Sequence, residues 1–470
     1  MKSFGSVLAW MLLALNMHAQ EKALFSVAEL KQDLAVFRAA LTEAHPGLYV
    51  YHDKAYFDAR FAAIEKQIKQ PMPEEAFYRL LNPLVAAIGC GHTKWHRNGK
   101  PDDLFAFHAQ GLFPLRLFFR DKKAYVQYAY GENNIPAGAE VTSINGVNMA
   151  GVSQQLLGEI LEDGVVESSR WRMLGDHFAG YYVSFIGESG QFTVGYRVAK
   201  GAVKTARLAA VDAKTIIERD KVPETESIRL SFPADSIALL RIPVFMPAAD
   251  TPAFEEVLQR SFAQIEAAGT KHLVLDLRDN EGGMDRWGVL LYAWLTGQPF
   301  HYYDRLTVVS DQPLSFRQYA TLPDGYDQLK AFIKKQGDEY VFTMHPNLGM
   351  QSPQAKPYTG KLYVLINGLS FSVTSEFGAV VREQHRGIFI GEESGGTIEG
   401  NNSGGFAIVR LPNTHLTLGV PLLRYHMLLK GNYPKGRGIV PEHVVVPTAE
   451  DIIHHRDAVL EKTLRLIHGK

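Results

Sequence analysis

The stretch Leu362-Tyr363-Val364-Leu365-Ile366-Asn367-Gly368-Leu369-Ser370-Phe371-Ser372-Val373 decides how this chain is read. Its first five residues form an unbroken apolar run, the pattern of a strand buried on both faces. Asn367-Gly368 ends the run. Across residues 373–385 the apolar positions Val373, Phe377, Val380 and Val381 return at helical spacing. Ser372 therefore stands at a strand-to-helix turn. A serine there reads in two ways. It is an N-cap, whose hydroxyl accepts a free backbone N–H, or a nucleophile, whose product oxyanion would lie at the positive end of the helix beside unpaired amides.

Upstream, the same alternation of β and α begins at Ser236. Residues 237–244 read as a strand. Thr251 caps and Pro252 opens a helix with Phe254, Leu258 and Ile265 on its apolar face, and Gly269 closes it. Residues 272–277 read as a buried strand that runs out into Asp276-Leu277-Arg278-Asp279-Asn280-Glu281-Gly282-Gly283, with a helix over 284–295. A glycine pair between strand and helix lets backbone amides face a ligand. Its spacing fits neither nucleotide loop, so no phosphate site is expected. Asp276 and Asp279 suit a glycosidase carboxylate pair or a charged turn held by Arg278, and the second reading is preferred. Residues 298–360 read as an insertion covering the site. Residues 406–425 alternate like strands, residues 432–441 form a turn-rich loop, and residues 449–467 read as one helix.

The N-terminal part has a different character. Residues 24–90 read as helices, the first opened by the capping box Ser26/Glu29 and carrying Leu30, Leu34, Phe37 and Leu41 on one face. They lead into Gly89-Cys90-Gly91-His92-Thr93, a tight turn in which His92 reads as a loop histidine with a structural hydrogen bond or as a functional base. His92 and His96 stand four apart, but no glutamate lies between them and the glycines oppose a helix, so no metal site is expected. Residues 106–200 hold strand patterns, an Asn145-Gly146 hairpin signal and a short helix over 152–161. This segment is a PDZ-like domain, which takes an extended peptide onto a strand edge, or a plain small β domain. Residues 201–235 read as a polar, strand-poor connection.

Composition narrows the function classes. The chain has 470 residues, 46% hydrophobic and 21% charged, with a formal net charge of −1. That is an ordinary globular balance and gives no basic footprint for nucleic acid. Lys2, the apolar core of residues 7–15 and Ala19 read as a signal peptide over residues 1–19. Its apolar core is too short to span a bilayer, and no membrane span is expected once it is removed. Cys90 is the single cysteine, so the expected periplasmic or secreted protein does without an intrachain disulfide.

Taken in order, His45-Pro46-Gly47-Leu48-Tyr49, Gly91-His92-Thr93, the PDZ-like segment, Asp276-Leu277-Arg278 with Gly282-Gly283, the Ser372 turn and residues 436–441 resemble the tail-specific, or C-terminal-processing, serine proteases. The likeness is to their tricorn-core-like bacterial branch. The resemblance implies an α/β, ClpP/crotonase-like catalytic core, a mixed sheet with helices, over residues 236–470. A helical cap with the His92 turn over 20–105 and a PDZ-like domain over 106–200 would precede it. It implies a secreted or periplasmic serine endopeptidase without cofactors, acting on protein or peptide substrates. Ser372 matches the nucleophile and His92 the base. The backbone amides of Val373 and of Gly282 or Gly283 match the oxyanion hole. Thr93, Asn280 and Glu281 are expected in the pocket, and Glu383 is a candidate support for His92. The chain departs from the pattern in three places. Thr397 stands where the processing branch has its lysine, Gly91 where the tricorn pattern has serine, and Lys435 where a late acid is expected. Those departures motivate the alternative of a catalytically weak or inactive member that binds a peptide or small ligand.

Overall fold

The computed structural model describes residues 23–97, 100–101, 103–221, 228–246 and 253–469. At its centre is a six-stranded sheet in the order Arg229–Ala234, Ile237–Arg241, His272–Asp276, Lys361–Ile366, Ile388–Gly391 and His443–Val444. Its edge pair Arg229–Ala234 and Ile237–Arg241 is antiparallel and the remaining pairs are parallel. The apolar runs are unbroken because both faces are covered. Leu273, Leu275, Leu362, Val364 and Ile366 face a core built with helices Phe254–Ala267, Asp285–Ala293 and Val373–Glu383. Val274, Tyr363 and Leu365 face a smaller core with helix Ala458–Ile467.

A second sheet of eight strands is built around the antiparallel pair Asn402–Arg410 and Thr417–Met427. Tyr303–Val308 and Glu339–Phe342 extend it, so residues 298–360 contribute strands to this sheet. Short strand Lys94–Arg97 joins the start of Thr417–Met427, pairing Leu418 with Trp95 and Gly419 with Lys94. This pairing ties the segment after the His92 turn to the second sheet. Helices Val27–Ala44, Lys54–Gln67 and Glu74–Ala86 pack with the same hairpin in one core.

The middle of the chain forms a third sheet in the order Lys204–Ala209, Gln191–Arg197, Glu140–Ile144, Lys123–Ala129 and Leu115–Arg120. Residues 201–235 are therefore not strand-poor. Lys204–Ala209 completes this sheet, Ala213–Arg219 is a helix, and Arg229–Ala234 edges the central sheet. In Lys204–Ala209 only Ala206 and Leu208 are buried, which leaves too short an alternation to stand out. The C-terminal helix is two helices, Ala449–Ile453 and Ala458–Ile467, broken where His455 takes φ +52° and Asp457 caps the second. The signal segment 1–19 and the expected start at Thr251-Pro252 lie outside the described residues, and Phe254–Ala267 has Ala253 at its N-cap.

One buried carboxylate ties the N-terminal helices to the second sheet. Asp33 is fully buried and accepts hydrogen bonds from the amides of Asn413 (2.9 Å) and Thr414 (2.8 Å), and from the Thr414 hydroxyl (2.5 Å). Asp33→Ala strands these donors and is expected to cost about 3 kcal/mol of folding stability. Urea unfolding checks this, and an unchanged midpoint would refute it.

Candidate active site

The turn after strand Lys361–Ile366 is held by its own polar atoms. Ser370 Oγ donates to the Leu277 carbonyl (2.8 Å) and accepts from Asn367 N–H (3.0 Å). Its carbonyl accepts from Ser375 Oγ (2.9 Å) and Gly395 N–H (2.9 Å). Ser372 is the N-cap residue of Val373–Glu383, yet its side chain makes no capping bond. Its backbone sits at φ +55°, ψ −124°, a region that costs a non-glycine residue about 1–3 kcal/mol. A strained strand-to-helix turn of this kind aims the hydroxyl away from the helix.

What the hydroxyl meets is His92. The His92 Nε2 to Ser372 Oγ distance is 3.0 Å, across 280 residues of sequence. The imidazole is half-buried and stacks on Phe371, with ring centroids 4.6 Å apart and planes at 27°. Desolvation, reinforced by the nearby Lys94 charge, pushes its pKa down to about 3. The ring is thus neutral at neutral pH. For Nε2 to accept the serine proton, Nδ1 must carry the ring hydrogen. Gly91 makes room for the stack, since a Cβ there would lie 2.8 Å from Phe371 Cζ. The serine of the tricorn pattern does not fit beside this phenylalanine.

The glycine pair lies directly beneath. A Cβ on Gly282 would fall 2.7 Å from Ser372 Cβ and 2.9 Å from Val373 N. The Gly282 amide itself is committed, donating to Asn280 Oδ1 at 2.9 Å. The Gly283 amide is not used by the bridge beside it, which runs from Phe245 N–H to the Gly282 carbonyl and from Met284 N–H to the Phe245 carbonyl. Val373 opens its helix, where an amide has no intrahelical acceptor. Among the described residues the amides of Val373 and Gly283 make no backbone hydrogen bond.

The other expected residues take different places. Thr93 and Asn280 are fully buried. Thr93 Oγ1 lies 2.7 Å from His45 Nε2, and Asn280 Nδ2 donates to the Ile242 carbonyl at 2.8 Å, so both brace loops rather than line a pocket. Glu281 is exposed. Glu383 does not support His92. It ends the helix that Ser372 begins, about 16 Å along the axis at 1.5 Å per residue, and accepts from Lys430 N–H, Gly431 N–H and Tyr433 OH. Asp276 is clamped by Arg278 (2.7 Å) and Arg241 (3.2 Å), a structural charged turn. Thr397 donates to the Gly400 carbonyl at 2.6 Å. His96 lies on the strand paired with Thr417, and the candidate ligand cluster among the described residues is Cys90, His92 and Asp163 without it. Phe371 and Asp163 were not anticipated. An aromatic next to the serine was the one visible hint for Phe371, and nothing local marks Asp163.

Residues 236–445 match the model of peptidase family S41. The matched segment holds Ser372, both glycines and Glu383, while His92 comes from outside it. The whole chain also shares a fold with mature CPAF, at 16% identity and TM-score 0.67, covering 94% of this chain and 98% of that one. Mature CPAF complexed with lactacystin gives 17% identity and TM-score 0.67, with 94% and 99% covered. The photosystem II D1 C-terminal processing protease is matched at 15% identity, 92% and 98% coverage and TM-score 0.42. No curated protein sequence matches the chain. Over residues 236–445 the chain is thus similar to the serine-type peptidases of this family.

Proposed function

We propose that this protein is an exported serine endopeptidase that cuts extended protein segments with a Ser372–His92 pair. The 3.0 Å contact between His92 Nε2 and Ser372 Oγ carries the reading. Neutral His92 takes the hydroxyl proton as Oγ attacks the scissile carbonyl carbon. The amides of Val373 and Gly283 receive the developing oxyanion, a role that preorganised donors fill without reorganisation. The proton on Nε2 then passes to the leaving amine as the C–N bond breaks, and water repeats the cycle on the acyl-enzyme. The PDZ-like sheet, with its edge strands, suits capture of a chain terminus by strand addition. The signal-like residues 1–19 support export to the periplasm or beyond.

A fluorophosphonate probe tests the pair directly, because only an activated serine is phosphonylated. Incubation of the purified protein, followed by peptide mass spectrometry, is expected to place the adduct on Ser372. An unmodified Ser372 after prolonged incubation would reject the reading in favour of a binding protein on a peptidase scaffold.

A further inference from the structure

The contact that makes His92 a base leaves its other nitrogen unaccounted for. His92 Nδ1 is buried and has no hydrogen-bond partner among the described residues. A neutral ring that accepts at Nε2 must carry its hydrogen on Nδ1, and a buried N–H donor calls for an acceptor. Asp163 is 2% exposed, and its Oδ2 likewise has no partner among the described residues. A carboxylate oxygen of Asp163 and a ring nitrogen of His92 lie within 4.8 Å of one another, with Cys90 Sγ inside the same limit.

Asp163 is also fastened to the turn that holds the histidine. Its Oδ1 accepts from Gly91 N–H at 2.8 Å, one residue before His92. The loop carrying it is pinned on both sides, by Gly164 N–H to the Gly89 carbonyl (3.0 Å) and Val165 N–H to the Gly436 carbonyl (2.8 Å). Gly164 stands at φ +57°, and a Cβ there would lie 2.3 Å from the Gly436 carbonyl oxygen, so this close approach requires glycine. The loop follows helix Met149–Leu157 of the middle domain. The middle domain thus inserts an acid behind the catalytic imidazole.

We propose that Asp163 is the positioning residue for His92, accepting the Nδ1 hydrogen when the two side chains close to hydrogen-bond length. This inference rests on the Ser372–His92 reading above. One carboxylate oxygen holds the Gly91 peptide and the other holds the ring, which sets tautomer and orientation together. During acyl transfer the proton from Ser372 stays on Nε2 until it passes to the leaving amine. Asp163 offsets the charge of the imidazolium. It does the work expected of the late acid, whose position is occupied by Lys435. Burial pushes the Asp163 carboxyl up to about 7. Lys94 and Arg424 favour its ionised form, while Glu399 and the neighbouring Glu162 oppose it. Cys90 does not compete as a base, since burial pushes its thiol up to about 11.

Asp163→Asn is the informative variant. The amide oxygen still accepts from Gly91 N–H, and the NH2 group cannot accept from Nδ1. Its kcat is expected to fall by about 10²–10⁴-fold with KM within about threefold, as when the acid of a serine triad is made an amide. The fluorophosphonate labelling rate is expected to fall in parallel. Proton NMR of the full wild-type chain supplies a readout that needs no activity. A low-field Nδ1–H resonance is expected, absent from both D163N and H92Q. Wild-type labelling and kcat in folded D163N, or a wild-type spectrum without that resonance, would overturn the proposal. If D163N fails to fold, the wild-type and H92Q spectra still decide it. Failure of the peptidase reading looks different: wild-type Ser372 is then unlabelled, whatever the spectrum shows.

Discussion

Ser372→Ala is expected to lower kcat/KM for peptide cleavage by about 10⁴-fold or more, because the proposed mechanism forms the acyl bond at this hydroxyl. The structure makes this a clean substitution. The Ser372 side chain caps nothing, and its recorded hydrogen bond is the one to His92. Alanine therefore removes a nucleophile without removing a helix cap, which would have been worth about 1 kcal/mol. The strained φ of +55° is common to both residues, so folding stability is expected to change little. The amides of Val373 and Gly283 remain, and a residual rate of about 10³-fold over water is consistent with donors alone. Chromatographic assay of peptide products, alongside thermal unfolding, separates the two effects. Cleavage by S372A at the wild-type rate would remove Ser372 from the chemistry.

Gly282→Ala is expected to strike both activity and stability. Its φ of +101° is a backbone conformation that side chains rarely adopt. The added methyl would lie 2.7 Å from Ser372 Cβ, 2.9 Å from the Phe371 carbonyl oxygen and 2.9 Å from Val373 N. Two of those three are main-chain atoms, and Ser372 is fixed at the turn between them, so no flexible side chain can yield. Relief must come from moving the serine or the Val373 amide. Removing one oxyanion donor costs about 10²–10³-fold in kcat, and displacing Ser372 adds to that. Strain and overpacking are expected to cost a further 2–3 kcal/mol or so of stability. Turnover and urea unfolding of the same preparation check both. A variant with wild-type kcat and midpoint would show that the glycine is not needed to seat Ser372.

The elements that could be read from sequence are those whose signal is local. Residues 362–366 show their burial in five consecutive apolar side chains, and both faces of that strand are covered. The capping box at Ser26/Glu29 forms as read. The glycine pair sits at its strand-to-helix turn because only glycine tolerates φ of +101° and +137° there. Sheet membership was harder. Lys204–Ala209 buries only two residues, and Tyr303–Val308 finds its partner Thr417–Met427 far along the chain. A short run with a distant partner gives periodicity little to work on.

Sequence alone determined that a serine stands at the head of a helix, that a histidine stands in a glycine turn, and that each belongs to a recognisable pattern. Only the tertiary structure decided that they touch. The contact depends on Lys94–Arg97 pairing with Thr417–Met427 in the second sheet, which brings the His92 turn to the Ser372 turn of the central sheet. It decided as well which glycine amide is committed, since Asn280 takes that of Gly282. It removed Glu383 to the far end of the helix and brought Asp163 in from another domain. The physical reason is one of range. Propensity and capping act over a few residues, whereas a hydrogen bond between side chains hundreds of residues apart exists only after long loops close and a shared core fixes their ends.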